Sequence, residues 1–231
     1  VRFLLSNDDG IEAPGLAALE RATPGEQRPL VVAPRVEQSG KSHSVTTDRP
    51  LTLEPFGERR WAVDGTPADC VRVALHEFPG EFDYVLAGIN SGGNLGADVF
   101  HSGTVAAIRE AALHGLPGIA LSHYRNRKLT AEDWVRATEW VRPIVEDLLS
   151  RNGGGMDLWS INLPCLQPGE EMPEVVECDL DLSPHDLKFR PEDEGRLQYS
   201  GSYTQRPRKA GTDVDVCFGG RISVTPLRLT A

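Results

Sequence analysis

The chain has 231 residues, with 24 Lys and Arg against 34 Asp and Glu, a formal net charge of −10. Such a surface repels phosphate backbones and acidic lipids, which excludes a nucleic-acid scaffold and an anionic-membrane binder. A small phosphorylated substrate stays open, because a bound divalent cation reverses the local sign of charge.

Phe3-Leu4-Leu5 reads as a short buried strand, closed at its carboxyl end by Ser6-Asn7-Asp8-Asp9-Gly10. Open parallel sheets place ligands at those ends. On a continuing strand Asp8 and Asp9 point to opposite faces, and Gly10 permits a turn that lets both face one site. Two adjacent carboxylates repel unless a cation lies between them, and such hard oxygen ligands suit Mg²⁺ or Mn²⁺. The alternative is that one aspartate caps the next helix and the other is solvated.

Pro14 to about Arg21 reads as a helix with Leu16 and Leu19 inward, ended by Pro24-Gly25. Leu30-Val31-Val32-Ala33 is a second strand closed by Pro34, followed by a polar loop from Arg35 to His43 with Ser39-Gly40 at its middle. Polar strands around Leu51–Leu53 and Trp61–Val63 suit an antiparallel pair near the sheet edge. Thr66 caps a helix running to about Glu77, with Pro67 first in it and Asp69 at its positive end. Asp83 to Gly88 is a third core strand, and Ile89 to Gly96 a glycine-rich loop.

Ser102-Gly103-Thr104 then opens a helix over Val105–His114, with Val105, Ile108 and Ala112 on one face. Gly118 to Ser122 is a fourth strand, and Trp159 to Pro164 a fifth. Between them Thr130 caps a long helix with Trp134, Ala137, Val141, Ile144 and Leu148 on one face, which Pro143 kinks or ends early. From about Glu170 the chain turns polar, with β-like pieces near Leu197–Tyr203 and Arg221–Pro226 and too few apolar residues for a core of its own.

This rhythm predicts a doubly wound, mostly parallel, Rossmann-like α/β core over residues 1–169. Residues 170–231 form a β-rich extension that completes the same domain and packs on it or on a second subunit. Cys70, Cys165, Cys178 and Cys217 are far apart with no C-x-x-C, which suits free thiols in a reducing compartment. With no charged leader and no apolar run of spanning length, a cytoplasmic protein without a membrane partner is expected.

Three loops at strand ends hold the candidate chemistry. They carry Asp8 and Asp9, then Ser39, then Asn90 and Asn94 in the stretch Gly88–Gly96, which leads to Ser102-Gly103-Thr104. Free amides and the dipole at such a helix start make an anion site, against the plainer reading of Ser102 as an N-cap. No Walker lysine follows, no G-x-G-x-x-G opens the first helix, and neither H-E-x-x-H nor G-x-S-x-G is present. His43 and His101 lie in these loops and are candidate proton donors.

The motifs S-N-D-D-G-I-x-A-P-G at 6–15, V-V-A-P with Q-S-G at 31–40, and G-T-P-A-D-C-V at 65–71 resemble the SurE, or stationary-phase survival protein, family of metal-dependent 5′-nucleotidases. So do G-I-N-x-G-x-N-L-G at 88–96, S-G-T-V-A-A at 102–107, I-N-L-P at 161–164 and S-V-T-P-L at 223–227. The resemblance implies one divalent metal, Mg²⁺ or Mn²⁺, held by Asp8, Asp9, Ser39 and Asn90. It implies phosphate contacts from Ser39, Asn94, Ser102, Gly103 and Thr104, with Asp8, Asp9, Asn94 and Ser102 as the catalytic set. It also implies hydrolysis of nucleoside monophosphates, a homodimer or homotetramer, and a C-terminal arm exchanged between subunits. His101 stands where relatives commonly carry tyrosine, which bears on base preference.

On this reading the metal polarises the phosphoryl group while Asp9 orients or deprotonates a water. A signalling receiver domain also pairs acids after its first strand, but it needs an aspartate where this chain has Gly88 and Asn90. A nucleotide-binding protein without catalysis differs from the enzyme only in turnover.

Overall fold

Leu4 and Leu5 are neighbours in β1 (Phe3–Ser6), and they enter different cores. Alternation along a strand requires this, so β1 is buried on both faces. The computed structural model describes residues 1–151, 157–185 and 187–229. After β1 come α1 (Pro14–Ala22), β2 (Leu30–Pro34), β3 (Leu53–Gly57), β4 (Arg60–Val63), α2 (Pro67–Glu77) and β5 (Tyr84–Ser91). Then follow α3 (Gly103–Leu113), β6 (Gly118–His123), α4 (Ala131–Arg151) and β7 (Leu158–Leu163). The C-terminal part adds β8 (Val175–Glu177), β9 (Phe189–Pro191), β10 (Leu197–Tyr199), α5 (Asp213–Phe218) and β11 (Ile222–Leu227).

The main sheet runs β3-β4-β2-β1-β5-β6-β7-β11-β8. Its middle, from β4 through β7, is parallel throughout. β3 lies antiparallel on one edge, and β11 is antiparallel to β7. Leu5 packs with Leu16 and Leu19 of α1 and Val141 of α4, whereas Leu4 packs with Val71 of α2 and Ile108 of α3. The doubly wound α/β fold expected from the alternation is the fold observed. From β1 the chain steps outward to β2 and β4, and from β5 it steps the other way. The strand order therefore reverses between β1 and β5, where such sheets open a crevice for ligands.

The helix starts follow their local chemistry. Thr66 Oγ1 accepts from the Asp69 amide at 3.2 Å and Asp69 Oδ2 accepts from the Thr66 amide at 3.0 Å, a reciprocal cap for α2. Pro143 does not end α4, which continues to Arg151. Its ring lies on the solvent side, where water can serve the carbonyl it strands.

One element differs from the sequence expectation. β5 continues past Gly88 to Ser91, with a register shift against β6 between Ala87 and Asn90. Gly88 makes this possible: its φ is 135° and a Cβ there would lie 2.2 Å from the Leu121 carbonyl oxygen. In the extension, β11 enters the main sheet, because Ile222 and Val224 alternate into the core on one face. β9 and β10 form a separate antiparallel pair whose Phe189 and Leu197 are exposed. The four cysteines are unpaired, as expected. Among the described residues no helix is long and apolar enough to cross a membrane.

Candidate metal and phosphate site

The turn after β1 is closed by Asn7, whose Nδ2 donates to the Gly10 carbonyl at 2.9 Å. Gly10, at φ 105°, supplies the left-handed residue that the turn needs. Neither aspartate caps α1, which starts at Pro14 with Ala13 as an N-cap making no side-chain bond.

Asp8 is buried, and its Oδ1 accepts from Thr104 Oγ1 at 2.5 Å. Burial pushes its pKa up to about 6, partly opposed by the Thr104 bond. Asp9 is half-buried and takes the Ser91 amide on Oδ2 at 2.9 Å. Burial raises its pKa as well.

The other predicted residues arrive through specific contacts. The Gln38 amide donates to the Asp8 carbonyl at 2.7 Å, which pins the loop carrying Ser39 against the end of β1. Ser39 and Asp9 line one cleft of about 330 Å³ together with Glu37, Ser91, Arg125 and Trp134. Asn90 adjoins Ser91 at the end of β5, and its Nδ2 donates to the Gly92 carbonyl at 2.8 Å. That bond leaves Asn90 Oδ1 available as a ligand.

The α3 start meets the same aspartates. Ser102 Oγ accepts from the Val105 amide at 3.0 Å and so caps the helix. A Cβ on Gly103 would lie 3.0 Å from Asp8 Cβ and 3.1 Å from its Oδ2, so the carboxylate rests directly on this helix end. First-turn amides there have no intrahelical partner and face outward with the positive end of the dipole.

Asn94 Nδ2 donates to Ser122 Oγ at 2.8 Å and lies 3.5 Å from Thr104 Oγ1. The Asn94 amide donates to Asn162 Oδ1 at 2.8 Å. Asn94 and Thr104 thus form a buried polar chain behind Asp8. Both side chains hydrogen-bond to protein groups.

Sequence reasoning had not assigned Glu37, Ser91, Arg125 or Trp134 to the site. Arg125 lies two residues past β6 on the same carboxyl edge as Asp8 and Asn90, a positional signal that could have found it. The C-terminal segment also serves the site. Arg206 bonds Asp98 Oδ2 at 2.9 Å and the Leu95 carbonyl at 3.1 Å, and Tyr203 reaches Asp98 at 2.7 Å. These contacts clamp the glycine-rich loop. His43 lies 2.8 Å from Glu110 Oε2, and His101 is exposed after a short 3-10 turn over Gly96–Phe100.

Two carboxylates, a hydroxyl and an amide oxygen fit a hard divalent cation. The buried Asp8 carboxylate gives such a cation its strongest anchor, because a nearby positive charge would offset its desolvation. Among the described residues no three His, Cys, Asp or Glu side chains gather as a metal-holding group, so this site has two carboxylates and draws its other oxygens from Ser39 and Asn90.

The family model described as Survival protein SurE matches residues 3–181. A protein of Nostoc sp. is 47% identical over 98% of this chain and 99% of its own length. The 5′-nucleotidase SurE of Paramagnetospirillum magneticum is 38% identical over 98% of this chain and 89% of its own. The crystal structure of the SurE protein from Aquifex aeolicus superposes with a TM-score of 0.82 at 32% identity, covering 100% of this chain and 95% of that one. A family match over most of the chain, relatives along nearly its full length and the same fold agree with the motifs at each strand end: the chain belongs to the SurE family, an enzyme family.

Proposed function

We propose that this chain is a divalent-metal-dependent phosphomonoesterase that hydrolyses nucleoside 5′-monophosphates, with 3′-monophosphates as a further substrate class. One observation carries the reading: the buried Asp8 carboxylate rests on the start of α3, so a cation site and an anion site adjoin. The names of the curated relatives support the substrate class.

Asp8, Asp9, Ser39 and Asn90 would hold Mg²⁺ or Mn²⁺, which supplies Lewis-acid polarisation of the phosphoryl group and a more acidic water. The amides of Gly103 and Thr104, with the Ser102 hydroxyl, hold the phosphate oxygens at the positive end of α3. Asn94 and Thr104 keep Asp8 in place. Asp9, less buried and open to the cleft, orients the attacking water and takes its proton. Arg125, on the same cleft, offsets charge that builds on the phosphoryl oxygens. Assembly as a homodimer or homotetramer through the exposed β9–β10 pair, and a cytoplasmic location, belong to the same proposal.

The test is phosphate release from nucleoside 5′- and 3′-monophosphates, with EDTA and then with Mg²⁺ or Mn²⁺ restored. Release that stops with EDTA and returns with metal supports the reading. Binding of the nucleotides without release under any of these conditions would instead make this a nucleotide-binding protein.

A further inference from the structure

α3, β7 and the end of β11 enclose a cavity of about 420 Å³ that shares no lining residue with the Asp9 cleft. Its walls are aliphatic, with Leu158, Leu180, Leu182, Leu227 and Leu229 among them. Leu182 and Leu229 are 64% and 46% exposed, so the apolar lining continues to the mouth. Into this lining projects Arg109 of α3. Its Nε and Nη2 are buried and have no hydrogen-bond partner. Asp179 lies on the same wall, yet among the described residues it makes no ion pair with Arg109.

Buried guanidinium nitrogens without partners are costly, and on α4 a buried arginine leaves only its Nε unpartnered. There Arg136 bonds Asp133 at 2.7 Å and the Gln167 carbonyl at 2.6 Å. Arg109 lacks such an arrangement, and burial lowers its pKa, as expected of a cation without a counter-charge. Arg228 also lines the cavity, so two arginines face one aspartate in a chain of formal charge −10. An oxyanion would satisfy Arg109, and an alkyl group would match the leucines. Concave sites of this volume and mixed character suit small molecules.

We propose that this cavity binds a small amphiphilic anion, its oxyanion head on Arg109 and its alkyl body along Leu158, Leu180 and Leu227. The ligand enters as a single molecule from solution. The Arg109 nitrogens are buried and so out of reach of a bilayer, and the net negative charge opposes an anionic one.

Titration calorimetry with octanoate tests this, using octan-1-ol for the apolar half and acetate for the charged half. The full chain should bind one octanoate at least tenfold more tightly than either half. Arg109→Met, which keeps the stem and removes the charge, should weaken octanoate at least tenfold and leave octan-1-ol unchanged. Leu180→Asn should weaken both eight-carbon probes. Neither variant touches the metal and phosphate site, so phosphate release should be unaffected. Because octanoate is no phosphate ester, the outcome stands apart from the proposed hydrolase activity. Absence of octanoate heat in the full chain, whatever its oligomeric state, overturns the proposal. Equal octanoate affinity in the full chain and Arg109→Met does so too. Should Arg109→Met fail to fold, Arg109→Gln carries the same comparison.

Discussion

Thr104 Oγ1 donates to Asp8 Oδ1 at 2.5 Å, joining the first turn of α3 to the end of β1 across 96 positions of sequence. The bond assigns Thr104 a use that its place in an anion-binding motif does not reveal. Its proton goes to a carboxylate of the protein, and the helix amides are left for the substrate phosphate.

Thr104→Ala should therefore act through Asp8. A hydrogen bond to a charged group contributes about 1.5–3 kcal/mol, so kcat should fall roughly 10- to 150-fold. Thr104→Ser keeps the hydroxyl and should recover most of the loss. Equal kcat for the Ala and Ser variants would contradict the assignment.

Gly103→Val should be more damaging than Thr104→Ala. A Cβ at 103 would already press on Asp8 at 3.0 Å and on Pro67 Cγ at 3.3 Å. A branched side chain displaces the carboxylate as well as blocking the helix start. Metal affinity should thus fall together with turnover, measurable by Mn²⁺ titration.

Asp8→Asn should nearly abolish turnover and yet stabilise the protein without metal. With a native pKa of about 6, Asp8 binds a proton more tightly folded than unfolded. Metal-free stability therefore declines as pH rises from about 4 to about 6, by roughly 3 kcal/mol at most, and stays lower above that. In EDTA at pH 8 the Asn variant should melt at a higher temperature than the parent. Added Mg²⁺ should raise the parent's Tm and leave the variant's unchanged.

Asp133 carries the opposite sign. Arg127, Arg136 and the Thr130 amide bond its buried carboxylate and hold it far below the usual range, the Arg127 bond foremost. Between the native and unfolded values the unfolded chain binds more protons, so this contribution is complete above about pH 4 and lost below it. Asp133→Asn should cost about 3–5 kcal/mol at pH 7, since it leaves Arg136 buried without its counter-charge. Urea unfolding at pH 7 and pH 3 should show that penalty shrinking in acid.

Replacing 188–199 with a short Gly-Ser linker should keep the fold and phosphate release while abolishing self-association. The β9–β10 pair exposes Phe189 and Leu197, whereas Arg206, Asp213 and β11 stay in place to hold the site and the sheet. Truncation from Glu194 onward also removes β11 and should give insoluble protein. Light scattering of the linker variant distinguishes the two roles of the extension.

Much of this protein is local in origin and therefore legible in its sequence. Leu4 and Leu5 announce a strand buried on both faces, Thr66 and Asp69 cap a helix from within one turn, and the polar run after β1 marks the strand end where Asp8 and Asp9 lie. Each depends on residues within a few positions of one another, where alternation, capping and turn chemistry act directly. The tertiary structure alone decided that β11 enters the sheet beside β7 and that Arg206 clamps Asp98 from 108 positions away. It alone set Thr104 on Asp8, Arg125 in the Asp9 cleft and Arg109 among leucines of β7, β11 and the segments that follow β8 and β11. A short strand or a lone arginine has many partners open to it in the unfolded chain. Which one it takes is settled only when the whole sheet closes and every buried polar group must find its match or go without.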